Sequence, residues 1–113
     1  MMHQLKITTH DTANGHVLAV SGDLDYASAP ELRARIGTLR LTAGQRLVVD
    51  LAGLHICDSS GITALIVAYQ HARAAQAETV LASVPGSLLR TLRIVGLDQL
   101  FALYPDTNAA VGG

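Results

Sequence analysis

The centre of the chain reads Leu47-Val48-Val49-Asp50-Leu51-Ala52-Gly53-Leu54-His55-Ile56-Cys57-Asp58-Ser59-Ser60-Gly61-Ile62-Thr63-Ala64-Leu65. It begins with an almost continuous apolar run, which is typical of a strand covered on both faces of a parallel sheet. The apolar spacing over residues 60–75 predicts a helix. A carboxylate, two hydroxyls and a glycine therefore stand where that helix begins. A helix start has free backbone N–H groups and a partial positive charge, so it tolerates an anion such as phosphate.

Strands and helices alternate on the N-terminal side of this segment. Alternating polar and apolar residues predict strands over 5–9 and 16–21, joined by a turn with the hairpin signal Asn14-Gly15. A helix follows, with Ser28 as its predicted cap and Pro30 in its first turn. The first part of the chain is therefore predicted to be a hairpin followed by a helix.

The C-terminal side continues the alternation. We predict a buried strand over 79–84, a short helix that ends at Gly96, and an edge strand over 100–104. The order β-β-α-β-α-β-α-β predicts the α/β class: one small domain over residues 1–113, with a mixed, mainly parallel central sheet. About three main helices are expected to pack mostly on one face. The core is expected to run from about residue 5 to about residue 105, and residues 106–113 are expected to fray as a short flexible tail.

Composition narrows the functional classes. The chain has 113 residues, of which 50% are hydrophobic and 15% charged, and this favours a folded domain over disorder. A formal net charge of −1 argues against direct nucleic-acid binding. The sequence has no apolar signal segment and no run of the ~20 apolar residues that span a bilayer, so we expect a cytoplasmic protein without membrane contact. The single cysteine, Cys57, excludes an internal disulfide and a cysteine-rich zinc site.

Ser59 is a candidate helix cap, nucleophile or phosphate acceptor. Serine often caps helices, but Asp58 could do so instead and leave a serine exposed. Cys57-Asp58-Ser59-Ser60-Gly61 differs by one residue from the nucleophile elbow Gly-x-Ser-x-Gly, whose hydrolases carry serine, acid and histidine in that chain order. The only later histidine, His71, precedes every later acidic residue. A small serine hydrolase acting through Ser59 is therefore a disfavoured alternative.

Asp23 and Asp25 are predicted to lie in a loop after the second strand. The carboxyl ends of parallel strands meet at one edge of a sheet, so we expect this loop close to Asp58. The two acids could simply be solvated. With Asp58 they could hold a divalent metal, but no histidine or further glutamate stands at ligand spacing, and no glycine-rich phosphate loop is present. The sequence therefore predicts no metal site and no cofactor.

In this order, the motifs resemble those of the STAS-domain anti-sigma factor antagonists, small bacterial partner-switching proteins. The resemblance covers about residues 5–105 and is carried by Gly22-Asp23-Leu24-Asp25, Val48-Val49-Asp50-Leu51, Cys57-Asp58-Ser59-Ser60-Gly61 and the closing helix over 88–97. It implies that Ser59 is phosphorylated by a partner that is both an anti-sigma factor and a serine kinase. The unphosphorylated form would bind that partner and so free a sigma factor. A PP2C-type serine phosphatase would restore the unphosphorylated form. It also implies a STAS fold and a regulatory protein, not an enzyme.

The resemblance also implies a docking surface. The acidic loop and the start of the second helix would contact the kinase, with glycine allowing close approach. A phosphate on Ser59 adds roughly −1.5 to −2 charges, which neighbouring carboxylates would repel in a docked complex. An alternative within the same fold is a STAS scaffold subunit of a larger signalling or transport complex. The predicted partner-binding residues are Asp23, Asp25, Asp58, Ser60, Gly61 and Thr63.

Overall fold

The computed structural model describes residues 3–112. Its elements are β1 (Lys6–Thr12), β2 (Gly15–Leu24), α1 (Ala29–Gly37), β3 (Arg46–Asp50), β4 (Leu54–Cys57), α2 (Ser59–Ala74), β5 (Glu78–Ala82), α3 (Gly86–Ile94), a 3-10 turn (Leu97–Gln99), β6 (Ala102–Tyr104) and α4 (Thr107–Gly112). The predicted alternation of strands and helices is confirmed. The sequence analysis missed two elements, the short strand β4 and the short helix α4.

The sheet is mixed and mainly parallel, as predicted. The strand order is β1-β2-β3-β5-β6, and β4 pairs with β2 off this path. Only the hairpin of β1 and β2 is antiparallel among the described pairs. Strand β2 pairs with β3 along its first half and with β4 along its last three residues, and the β2–β4 register shifts between Gly22 and Asp23. The end of β2 therefore reaches beyond β3, towards the start of α2.

The three main helices cover one face of the sheet. Alternate strand residues point to opposite faces, so each central strand contributes to two apolar layers. The larger layer joins the sheet to α1, α2 and α3 through side chains that include Leu18, Leu32, Leu47, Leu65 and Leu92, each at most 1% exposed. Burial of one such side chain stabilises the fold by about 1.5–3 kcal/mol before entropy is counted. The predicted packing of the main helices is thus confirmed.

The C-terminal segment differs from the expected fraying tail. Residues 107–112 form α4, and Gly113 lies outside the described residues. The buried Ala110 packs with Val17, Val48 and Val80 on the second face of the sheet. Arg46 donates from Nη1 to the Ala110 carbonyl oxygen at 2.7 Å. The small residues that suggested a tail are those that let a short helix lie close to a flat valine surface.

Two local predictions are corrected. The hairpin loop consists of Ala13 and Asn14, because Gly15 already pairs with Thr12 as the first residue of β2. Ser28 stands at the start of α1 but makes no side-chain capping bond there. Its hydroxyl donates instead to the Asp23 carbonyl oxygen at 2.8 Å, back across the loop.

Two other local predictions are confirmed. Pro30 lies in the first turn of α1. Gly96, with φ of 78°, follows the last turn of α3 in the left-handed conformation that glycine adopts readily.

Substitution of Gly22 tests the backbone geometry at the point where β2 pairs with β4. The φ of Gly22 is +89°, and a Cβ at this position would lie 2.2 Å from the Gln4 carbonyl oxygen. We expect Gly22→Ala to lower the free energy of unfolding by at least ~2 kcal/mol in urea denaturation, because both backbone strain and a clash with main chain oppose it. Gly86→Ala is the control, since a Cβ there meets nothing within 4 Å. Equal effects of the two variants would contradict this account.

Candidate functional site

The candidate site lies where β2 and β4 end and α1 and α2 begin. Leu24 of β2 pairs with Cys57 of β4. One residue later, the Asp58 N–H donates to the Leu24 carbonyl oxygen at 3.2 Å. This pairing holds the loop before α1 beside the start of α2, so the two predicted motifs meet as expected.

The Asp58 carboxylate caps α2 and also holds the neighbouring loop. Its Oδ1 accepts hydrogen bonds from the backbone N–H groups of Ser60, at 2.8 Å, and Gly61, at 3.2 Å. Its Oδ2 accepts from the N–H of Tyr26 at 3.2 Å. Of the capping alternatives left open by the sequence, the structure supports Asp58, and the two serine hydroxyls are not used as caps.

Ser59 is the first residue of α2 and is exposed. Within residues 3–112 its hydroxyl has no hydrogen-bond partner, whereas its carbonyl oxygen accepts from Thr63 Oγ1 at 3.0 Å. Ser60 is half-buried, and its hydroxyl likewise has no partner in this part of the chain. Because Asp58 takes over the capping role, the Ser59 hydroxyl remains accessible to a reacting partner.

Asp23 does not lie in a loop, which corrects the sequence prediction. It is the penultimate residue of β2 and only 9% exposed. Its Oδ2 accepts from the His3 N–H at 3.1 Å, and Oδ1 is buried without a partner among the described residues. The paired backbone explains its position, because β2 continues onto β4 past the glycine at which the loop was expected to begin.

Asp25 lies in the loop, as predicted, but its carboxylate is bound within that loop. Its Oδ1 accepts from the N–H groups of Ala27, at 3.0 Å, and Ser28, at 3.1 Å. Such bonds are typical of an Asx turn, in which a short acidic side chain replaces a backbone acceptor. Asp25 therefore shapes the approach to α1, and much of its hydrogen-bonding capacity is already used.

Gly61 is buried against the interior of the site. A Cβ on this residue would lie 2.6 Å from Cys57 Sγ and 2.9 Å from Leu24 Cγ. The packing of α2 on β2 and β4 therefore accounts for the glycine without any partner. Burial, together with the neighbouring Asp58 charge, raises the pKa of the Cys57 thiol from 9.0 to about 11. This cysteine is a packing residue.

A groove between the starts of α1 and α2 contains residues that the sequence analysis missed. It encloses about 380 Å³. Tyr26 is 83% exposed, and Arg33 is half-buried with no ion-pair or hydrogen-bond partner within residues 3–112. Thr63, a predicted partner-binding residue, contributes to the α2 wall. The lining residues are Tyr26, Ala27, Pro30, Arg33, Ser60 and Thr63.

Residues 3–112 contain no group of three histidine, cysteine, aspartate or glutamate side chains arranged to hold a metal ion. None of the helices over the same range is long and apolar enough to cross a membrane.

Comparison with known proteins gives consistent matches. The STAS domain family model matches residues 4–110. An anti-sigma-B factor antagonist of Listeria monocytogenes is 26% identical over 99 residues, which cover 88% of this chain and 86% of the relative.

Two solved structures share the fold. One is an anti-sigma factor antagonist from Mycobacterium paratuberculosis, with a TM-score of 0.79, 24% identity, and coverage of 97% of this chain and 96% of that one. The other is the Bacillus cell fate determinant SpoIIAA in its phosphorylated form, with a TM-score of 0.68, 19% identity, and coverage of 88% and 90%.

The raised pKa of Cys57 predicts that its thiol reacts slowly with alkylating reagents. Alkylation requires the thiolate, so the rate with iodoacetamide should rise towards a midpoint near pH 11 in the folded protein, against 9.0 for an unperturbed thiol. At pH 8 the folded protein should react about 100-fold more slowly than the urea-unfolded chain. Because the folded pKa is the higher one, this thiol contributes stability below pH 9, and that contribution is lost between pH 9 and 11. Equal rates for folded and unfolded protein would contradict the packing of Cys57.

The dual role of Asp58 predicts a capping effect on stability. Asp58→Ala should lower the free energy of unfolding by about 1–2 kcal/mol, because N–H groups at the start of α2 lose their acceptor. Ser60→Ala is the matched control and should change it by less than ~0.5 kcal/mol. Urea denaturation followed by circular dichroism measures both. A neutral Asp58→Ala variant would show that the cap has no energetic role.

Proposed function

Because this chain belongs to the STAS domain family, we propose that it acts as an anti-sigma factor antagonist that is switched by phosphorylation of Ser59. In its unphosphorylated form it would bind an anti-sigma factor that is also a serine kinase, and so free a sigma factor. The observation that carries this proposal is the exposed Ser59 hydroxyl, which has no hydrogen-bond partner within residues 3–112. A PP2C-type serine phosphatase would reverse the modification, and all of these steps would take place in the cytoplasm.

The relatives support the regulatory part of this proposal. The Listeria protein is named an anti-sigma-B factor antagonist, and the chain covers most of its length. The fold is shared with a SpoIIAA structure described as phosphorylated. A hydroxyl that is free to rotate at the first position of a helix is a good kinase substrate, because the kinase need not break a hydrogen bond to reach it.

A phosphate on Ser59 would remain in water in the free protein and be desolvated in a complex. Asp58 already accepts from the N–H groups of Ser60 and Gly61, so the phosphate could not take these two donors without displacing the cap. Moving a complex from about 99% to about 1% bound requires about 5.5 kcal/mol. An uncompensated charge in an interface costs several kcal/mol, so one phosphate suffices without a change of fold.

The acids around Ser59 make contacts within the protein. Asp23 is buried in β2, Oδ1 of Asp25 accepts from backbone N–H groups, and both oxygens of Asp58 do so. These acids therefore hold the docking loop in shape, while the contact with the kinase would be made by the surfaces around them, including Ser60 and Thr63.

Two alternatives make different predictions. A STAS scaffold subunit of a larger complex would use the same fold without accepting phosphate. A small hydrolase would need a base on Ser59, but His71 Nε2 lies 2.8 Å from the Leu39 carbonyl oxygen, and no described side chain bonds to the Ser59 hydroxyl. No observation favours the hydrolase, and phosphate acceptance separates the switch from the scaffold.

The test is phosphorylation by purified anti-sigma factor kinases of the source organism. With ATP and the cognate kinase, the intact mass should rise by one phosphate, which peptide mapping should place on Ser59. Ser59→Ala should bind the kinase without being modified. Ser87→Ala, which changes an exposed serine of α3 outside the groove, is the control and should be modified normally. Ser59→Asp should bind at least ~10-fold more weakly than the unmodified protein. The switch proposal fails if a kinase binds the protein tightly and leaves Ser59 unmodified.

A further inference from the structure

The groove beside Ser59 contains a charge that nothing in the described chain compensates. Arg33 lines it from α1 and has neither an ion pair nor a hydrogen bond within residues 3–112. A guanidinium that is half removed from water keeps its charge and offers a planar fork of donors, which matches a carboxylate. The groove therefore has a positive charge with which an acidic side chain of a partner could pair.

The nearby acids do not neutralise this cation. Asp25 Oδ1 is held by the N–H groups of Ala27 and Ser28. Asp58 accepts three backbone N–H groups through its two oxygens. Hydrogen bonds from backbone N–H groups leave both carboxylates charged, but neither acid pairs with Arg33, so its guanidinium is available to an acidic side chain of a partner.

Tyr26 provides the apolar part of the same surface. Its side chain is 83% exposed, which is unusual for a large aromatic residue, while its backbone is fixed by the bond from its N–H to Asp58 Oδ2. Tyrosine and arginine are enriched among the residues that dominate binding energy in protein interfaces. A fixed tyrosine backbone beside an unpaired arginine is a preorganised docking feature.

The groove also lies next to the proposed phosphate acceptor. Thr63 and Ser60 form its α2 wall, and Thr63 Oγ1 donates to the Ser59 carbonyl oxygen. A protein seated in the groove therefore contacts Ser60, the residue that follows Ser59 in the chain. A phosphate on Ser59 would repel a carboxylate in the groove and compete with it for Arg33.

We propose that the groove between Tyr26 and Arg33 is the specificity pocket for the anti-sigma kinase, and that it receives an aspartate or glutamate side chain of that partner. This inference rests on the proposed function and adds the partner chemistry and the two residues that recognise it. Phosphorylation of Ser59 then releases the partner by displacing its acidic side chain from Arg33.

Charge reversal tests the groove with the kinase that phosphorylates the wild-type protein. Arg33→Glu should weaken kinase binding at least ~10-fold in calorimetry, and Tyr26→Ala should weaken it at least ~5-fold. Arg35→Glu is the matched control, because it makes the same charge change on the same helix outside the groove, and it should stay within ~2-fold. Circular dichroism verifies that each variant is folded.

Complementary reversal on the partner identifies the occupant. Aspartate and glutamate residues of the kinase are changed singly to arginine, and one such change should restore binding to Arg33→Glu while weakening binding to the wild type. If Arg33→Glu binds as tightly as the wild type to a kinase that phosphorylates Ser59, the groove is not the docking site, and the proposed function stands. If Arg33→Glu loses binding and no charge reversal on the kinase restores it, the groove does not receive an acidic side chain. If no kinase of the panel binds or phosphorylates the wild-type protein, the proposed function and this inference both fail.

Discussion

The site depends on the way β2 changes its partner. Its first half pairs with β3, and its last residues pair with β4 from Gly22 onwards, with a shift of register between Gly22 and Asp23. Only a glycine fits there, because the Gln4 carbonyl oxygen occupies the space of a Cβ. The new pairing continues to the bond between the Asp58 N–H and the Leu24 carbonyl oxygen, so a hydrogen-bonding constraint inside the sheet fixes where α2 begins.

That constraint gives different roles to the four consecutive residues 58–61, some of which support the fold while Ser59 is exposed. Asp58 satisfies backbone donors on two segments, and Gly61 leaves room for the side chains of Cys57 and Leu24. Ser59, between them, is left with an exposed hydroxyl. The motif is therefore compact because each supporting residue makes its contacts inward or along the backbone, which leaves the outward direction to a single serine.

The sequence predicted the parts of this fold that repeat a pattern, and missed those that depend on distant partners. The apolar runs of β3 and β5 and the period of α2 reflect burial, which is readable locally. β4 has two exposed middle residues, His55 and Ile56, and is a strand only because β2 reaches it. Arg33 was missed for the same reason, since a lone arginine on a helix gains meaning only when Tyr26 and Thr63 are brought opposite it.

The double attachment of Asp58 has a consequence for comparing relatives. A chain of this fold that had lost its kinase altogether would still need an acceptor at this position for the N–H groups of Tyr26, Ser60 and Gly61. Retention of the aspartate in a distant sequence would then report architecture rather than signalling. Tyr26 and Arg33 have no comparable side-chain role inside the described chain, so under the groove proposal their joint replacement would indicate a change of partner.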